Sequence, residues 1–366
     1  MDALTLSDIL AAVATLADAI GEGFVALTLG FAAMPAGIGF LLGAIIVFGL
    51  KSVVPVSFEV ESLTVISRLA DRDWKKMAYM VLLAGILGAI LGMLGLYSQI
   101  VGFIDGPILS GMMTGVGVIL SFVAIDLFKE NKVVGGVSIA AALATFFALI
   151  NDPNNLIYAL AASVIAGVIA ARFVSFEPIP INKEREKIRL IPFDGFKFLT
   201  DIKVIRGALA LLALRTGTSI AYSGIDGQMA NVNPNVDHTN IIAGISGAIS
   251  ALYGGPPIEP IISGTAAAPN PVTSGALMML IMGVLLLVGL IPLLARYVPV
   301  SSVAGFLLLL GAVLAVPGNI AGVISPQDAF SGPITVVVTA ATFDPFLGMV
   351  AGILVRAVSG FLMGGF

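Results

Sequence analysis

Val54-Pro55-Val56-Ser57-Phe58-Glu59-Val60-Glu61-Ser62 and Pro256-Pro257-Ile258-Glu259-Pro260-Ile261-Ile262-Ser263-Gly264 are two short breaks in an otherwise apolar chain. Both carry proline and glutamate, and each lies at about the same point of its half of the chain. Carboxylates and helix-breaking prolines are costly in a bilayer, where an unpaired backbone group finds no water. They persist where they line a cavity, and a matched pair in two halves points to a transporter's central site. Pro55 and Pro257 push Val54 and Pro256 toward extended geometry. Each break therefore reads as a strand-like piece followed by a half-helix.

The rest of the composition agrees with a membrane setting. The chain has 366 residues, of which 58% are hydrophobic and 11% charged, against about 25% charged in an ordinary soluble domain. The 42 glycines suit helices packed closely in lipid. There is no cysteine, which excludes disulfides and thiolate metal sites. His238, the single histidine, lies in a polar stretch, which argues against a histidine metal site or haem. No basic region precedes an apolar core at the N-terminus, so a cleaved signal peptide is not expected.

Apolar stretches long enough to count as segments run over 9–33, 36–51, 55–67, 76–97, 108–127, 134–150 and 156–174. A second set runs over 205–223, 239–253, 258–270, 273–294, 301–316, 329–343 and 346–364. Segments 3 and 10, over 55–67 and 258–270, are shorter than the ~20 residues of a full helical crossing. The expected fold is an all-α polytopic membrane protein with fourteen transmembrane segments. These form 7+7 inverted repeats with strand-plus-half-helix breaks in segments 3 and 10. An odd number of segments per half inverts the second half relative to the first. Residues 1–174 form the first repeat and 205–366 the second. The polar stretch 175–204 links them, and Phe193, Phe196, Phe198 and Leu199 near its end indicate a short interfacial helix.

Positive charge gives an orientation. Arg68, Arg72, Lys75, Lys76, Lys129, Lys132, Arg172, Lys183, Arg185, Lys187, Arg189, Lys197, Lys203, Arg206 and Arg296 all fall in odd-numbered loops, whereas Lys51 and Arg356 lie toward the other face. Odd-numbered loops are therefore expected in the cytoplasm, and both termini outside an inner membrane. Trp74 and Tyr97 fit an aromatic belt.

Ser250-Ala251-Leu252-Tyr253-Gly254-Gly255-Pro256-Pro257, running on to Thr265, resembles the nucleobase–ascorbate permeases, a family of uracil, xanthine and purine carriers. Gly111-Met112-Met113-Thr114-Gly115-Val116-Gly117 is similar to its fifth segment, and Ala304-Gly305-Phe306-Leu307-Leu308-Leu309-Leu310-Gly311 to its later glycine-flanked apolar helix. The resemblance implies the fourteen-segment fold. A core unit of segments 1–4 and 8–11 would shift against a gate unit of segments 5–7 and 12–14. It also implies a nucleobase solute, stacked on Phe58 or Tyr222, and a homodimer, as related permeases often are. Three departures stand out. Ser263 and Leu214 occupy the places of the family's two carboxylates, Arg215 sits beside the second, and the charge pattern puts the N-terminus outside rather than inside.

Several residues are candidates for a site. Ser57, Phe58 and Glu59 in segment 3, and Glu259, Ser263 and Thr265 in segment 10, would face the solute, with Glu59 and Glu259 able to carry a proton. An ordinary alternative is that Glu59, Ser263 and Thr265 cap helix starts. Asp18 and Glu22 are four apart, hence on one helical face, and fit a proton or sodium site; otherwise they are wet residues of an interfacial helix. Arg215 in segment 8 cannot give up its proton. It reads as a structural ion pair with Asp18, Glu22, Glu59 or Glu259, or else as an anion contact. Thr218, Ser219 and Tyr222 share its segment. Asp226 and Gln228 are expected in a loop, and Asp152, Asp237 and Asp328 in water.

The leading expectation is a secondary active transporter that moves a small polar solute, a nucleobase by resemblance, with H+ or Na+ as coupling ion. No other cofactor, metal or nucleic acid is expected. The alternative is an anion transporter of the sulfate or bicarbonate type, which shares the fold. Arg215, Leu214 and Ser263 favour this alternative, whereas a chain that stops at Phe366 lacks that family's usual cytoplasmic domain. An intramembrane enzyme is disfavoured by the absence of a histidine pair, cysteine or metalloprotease motif.

Overall fold

The computed structural model describes residues 4–174, 190–191, 195–294, 297–326 and 328–363. Most of this chain is helical. The first half runs α1 (Leu6–Thr28), α2 (Ala36–Leu50), β1 (Val56–Ser57), α3 (Val60–Leu69), α4 (Trp74–Met93), α5 (Leu96–Phe103), α6 (Gly106–Glu130), α7 (Lys132–Ala148) and α8 (Asn155–Ala171). A 3-10 turn over Gly195–Thr200 leads to α9 (Ile202–Ala230), α10 (Val236–Leu252), β2 (Glu259–Pro260), a 3-10 turn (Gly264–Ala267), α11 (Pro271–Leu287) and α12 (Ile291–Leu294). Next come a 3-10 turn (Val300–Val303), α13 (Ala304–Leu308), a π-helical stretch (Leu309–Ala315), α14 (Val316–Asn319), another turn (Ile320–Gly322), α15 (Ser331–Thr342) and α16 (Pro345–Met363). Among the described residues six helical stretches are long and apolar enough to cross a membrane, and five shorter apolar helices of 10–17 residues accompany them.

Side-chain caps fix where several helices start. Thr5 and Asp8 close a capping box on α1, and Asp73, Asp105, Asn131, Asp201 and Asn235 accept backbone N–H groups at the starts of α4, α6, α7, α9 and α10. Asp237 and Asp328 are buried rather than solvated. Asp237 takes the N–H groups of Tyr97 (2.9 Å) and Ser98, and Asp328 takes those of Phe330 and Ser331. A carboxylate that caps a helix from a neighbouring element is hidden from a reading by polarity alone. Tyr97 is likewise buried, not part of a surface belt.

Two further expectations are corrected. The stretch 258–270 forms β2 and one 3-10 turn instead of an α half-helix. Ala268, held extended before Pro269, ends the turn as a residue preceding proline tends to. In addition, α9 continues to Ala230, where Asn231 in the left-handed region caps it. Asp226 and Gln228 are therefore helical rather than loop. Of the expected 175–204 linker, residues 175–189 and 192–194, Phe193 included, lie outside the described residues. In the described part Phe198 stacks on Tyr79 with ring centroids 4.6 Å apart.

The two breaks meet. β1 and β2 pair antiparallel, with Val56 opposite Pro260 and Ser57 opposite Glu259. The Ile261 N–H also donates to the Pro55 carbonyl at 3.3 Å. Backbone pairing of this kind satisfies extended segments away from water. Most buried apolar side chains gather in two large clusters. One surrounds α2, α4, α10 and α11, and the other surrounds α6, α8 and the 303–315 stretch. Where α4 and α10 cross, a Cβ on Gly244 would stand 2.6 Å from the Gly85 carbonyl oxygen, so the contact requires glycine. At one rim Lys203 bonds Asp71 (2.7 Å) and Lys76 bonds Asp201 (3.3 Å), tying the α3–α4 turn to the start of α9. The hydrogen bond and charge of Lys203 hold the Asp71 carboxyl below its usual range.

Candidate functional site

A cavity of about 370 Å³ lies where the strand pair hands over to α3. One wall is acidic. Asp18 and Glu22 reach it from α1, one helical turn apart, and Glu59 and Glu61 reach it from the start of α3. Glu59 is the N-cap of α3, with extended backbone (φ −142°) and no capping bond from its side chain. That geometry frees its carboxylate to face the cavity. Its Oε2 accepts a short hydrogen bond from Ser62 Oγ, while Oε1 is buried without a hydrogen-bond partner. The Tyr222 hydroxyl of α9 lies beside it. The Val60 N–H, at the first turn of α3, donates to Glu22, so part of the helix's N-terminal donor capacity is already engaged.

The opposite wall is aliphatic. Val116, Ile119, Leu120, Val123 and Leu127 project from a single face of α6, and Val300, Val303, Leu307 and Leu310 come from the stretch that includes α13. Their spacing on α6 follows the helical period. Ile261 and Ile262 close the end next to the strands, and Glu130 stands at the end of α6. Among the described residues no lysine or arginine lines this cavity.

The one cationic side chain of the mid-part of α9, Arg215, is spoken for. Arg215 and Glu259 are both fully buried and joined by two charge-assisted hydrogen bonds, Nε to Oε2 at 2.6 Å and Nη2 to Oε1 at 2.5 Å. A third bond runs from Nη1 to the Ala84 carbonyl at 3.2 Å. The pair thus ties β2 to α9 and α4. Of the four carboxylates that the sequence offers as partners for Arg215, the structure uses Glu259. Glu259 is not among the cavity-lining residues, and its expected roles as solute contact and proton carrier meet a carboxylate already occupied.

Asp18, Glu22, Glu59 and Tyr222 are thus the expected residues that come together on one cavity. The others take different places. Phe58 packs edge-on against Phe40, centroids 5.1 Å apart. Ser57 lies buried in β1 opposite Glu259, with no partner for its Oγ. Ser263 Oγ bonds Thr265 Oγ1 (2.6 Å) and Thr15 Oγ1 (3.3 Å) and accepts the Thr265 N–H, capping the 3-10 turn. Thr218 and Ser219 donate back to carbonyls of their own helix, and Ser219 also accepts from Asn240.

Asp226 is a residue that sequence reasoning missed. It is fully buried, accepts the Ser263 N–H at 3.0 Å, and leaves Oδ2 without a partner. The signal lay in the spacing: Arg215, Ser219, Tyr222 and Asp226 are four, three and four apart, one continuous helical face.

A second pocket, of about 410 Å³, opens at the other end of the α6–α9 seam, lined by Leu109, Met113 and residues of the 224–234 stretch. Two contacts gather at this pocket. Met113 is seated where Gly224 lacks a side chain, since a Cβ there would lie 2.5 Å from its sulfur. Gln228 and Asn319 form a reciprocal amide pair at 2.7 and 3.1 Å.

Residues 46–182 match the model of the Sulfate permease family. No curated protein matches the chain by sequence. Among solved structures, the transmembrane domain of a cyanobacterium bicarbonate transporter, BicA, is similar at a TM-score of 0.56 and 19% identity, over 95% of this chain and 97% of that one. Murine solute carrier 26 family member A9, an anion transporter in the inward-facing state, is similar at 0.55 and 12% identity, over 99% of this chain and 69% of that one. These matches correct the resemblance to nucleobase–ascorbate permeases. A paired break could not separate two families that share it, whereas Leu214 and Ser263, in place of the expected carboxylates, already departed from that pattern. The chain has the helical, multi-pass membrane fold of these transporters, and the likeness points to a transporter rather than an enzyme.

Proposed function

We propose that the chain is a secondary active transporter that carries a small anion through the 370 Å³ cavity together with a proton or sodium ion. The match to the Sulfate permease family and the likeness to two anion carriers support the anion. The observation that carries the coupling is the acidic wall. Asp18, Glu22, Glu59 and Glu61 share one cavity that, among the described residues, no cationic side chain lines. A unit charge 4 Å from another costs about 4 kcal/mol at the dielectric of a protein edge, so an anion enters this space only with compensating positive charge.

In this reading the fold is 7+7 inverted repeats, 1–174 and 205–366, joined by 175–204 and inserted with both termini outside the inner membrane. Segments 1–4 and 8–11 carry the acidic wall, and segments 5–7 and 12–14 the aliphatic one. Sliding of one unit past the other alternates access. The seam at Met113, Gly224, Gln228 and Asn319 then serves as the closed gate of the state described here. The test is uptake of labelled bicarbonate and sulfate into proteoliposomes under imposed pH or sodium gradients. Uptake of at least one anion should collapse when the driving gradient is dissipated, and Glu59→Gln should uncouple it. Anion flux indifferent to both gradients would show a passive channel, and no flux of any anion would remove the proposal.

A further inference from the structure

The two walls of the cavity differ more than a small inorganic anion requires. Such an anion spreads its charge over oxygens that all need donors, and an aliphatic wall supplies none. Here 13 of the 19 lining residues are aliphatic, Val116, Leu120, Val303 and Leu307 among them. An apolar wall with a few convergent polar groups is the usual form of a site for an organic ligand. On the polar side Glu59 lines the cavity and is 3% exposed, and its Oε1 has no hydrogen-bond partner, with the Tyr222 hydroxyl beside the carboxyl group. Buried polar atoms in folded proteins are nearly always paired, so this one marks a position that a ligand completes.

We propose that the transported anion is a monocarboxylate with an aliphatic tail, bound with one proton shared between its carboxylate and that of Glu59. The claim deepens the proposed transport function and rests on it. One proton and one carboxylate make a neutral unit, and a carboxyl–carboxylate hydrogen bond occupies Glu59 Oε1. Tyr222 supplies a second donor from the same side. The tail lies along Val116, Leu120 and Leu307. The charged or titratable groups around this position are Asp18 and Glu22 on α1, Glu61 on α3, Tyr222 on α9 and Glu130 on α6. All are acidic groups whose ionised forms repel a second negative charge, so each favours a ligand that arrives neutral. The anion of a strong acid such as sulfate holds no proton near neutral pH and gains nothing from this wall.

The test is calorimetric titration of the purified full-length protein in detergent with acetate, butyrate, hexanoate, sulfate and bicarbonate, in two buffers of different protonation enthalpy. Affinity should rise about fourfold for each added methylene, with about one proton taken up per carboxylate bound. Leu307→Asn in the same detergent leaves partition into micelles unchanged and should flatten the chain-length series. Glu59→Gln should abolish proton uptake. If that variant does not fold, Tyr222→Phe should weaken all carboxylates by a similar factor. A flat series, or tighter binding of sulfate or bicarbonate than of hexanoate, would overturn the substrate class while leaving anion transport standing. Failure of every anion to bind would overturn both.

Discussion

Glu59 and Glu259 each lie in one of the two breaks, yet their surroundings give them opposite work. Glu59 faces a cavity, whereas Glu259 is locked to Arg215. Removing one member of a buried ion pair leaves the other charge stranded, which costs about 3–5 kcal/mol, while replacing both by apolar groups is often tolerated. Glu259→Gln is therefore expected to lower the melting temperature sharply, and the double replacement Arg215→Met with Glu259→Met to recover much of it. A Glu259→Gln protein that melts like the parent would refute the structural role of the pair. At this scale the sequence was informative where spacing sufficed. Asp18 and Glu22, four apart, do share a wall. It was silent on which acid meets Arg215, because all four candidates carry the same charge and only tertiary packing chooses among them.

Among elements, the α4–α10 crossing and the α6–α9–α14 seam are the two contacts with the clearest physical demands. Gly244→Leu would drive a side chain into the α4 backbone. It should destabilise the protein by more than the ~1–3 kcal/mol usual for overpacking, read as lost yield and a lower melting temperature. The chain contains no cysteine, so Gln228→Cys with Asn319→Cys gives a clean crosslinking pair. Oxidation should arrest transport if the amide pair parts during the cycle, and reduction should restore it. Transport that continues in the crosslinked protein would place the gate elsewhere. Helices were legible because apolar stretches and capping residues mark them. The short turn at Gly264–Ala267 and the extra length of α9 were not. Small residues and isolated polar ones look like loop when their buried partners are unknown.

For the molecule as a whole, the arrangement of positive charge makes a topology that can be measured. A cysteine replacing the exposed Asp71 should resist an impermeant thiol reagent in intact cells, and one replacing Asn233, beside the second pocket, should react. The opposite pattern would invert the proposed orientation. The membrane fold was readable from hydropathy and the paired breaks, but the substrate was not, since it depends on how the walls of one cavity are divided between elements far apart in sequence.

Ser57 is hydrogen-bonded across the strand pair to Glu259, Glu259 to Arg215, and Arg215 to the Ala84 carbonyl. These links fasten α4, α9 and both strands into one block, and β1 leads from it directly into Glu59 and Glu61. Such a block cannot mould itself around different cargoes. Discrimination must then come from how well a cargo fits a ready-made socket, and the same preference should hold from either side of the bilayer.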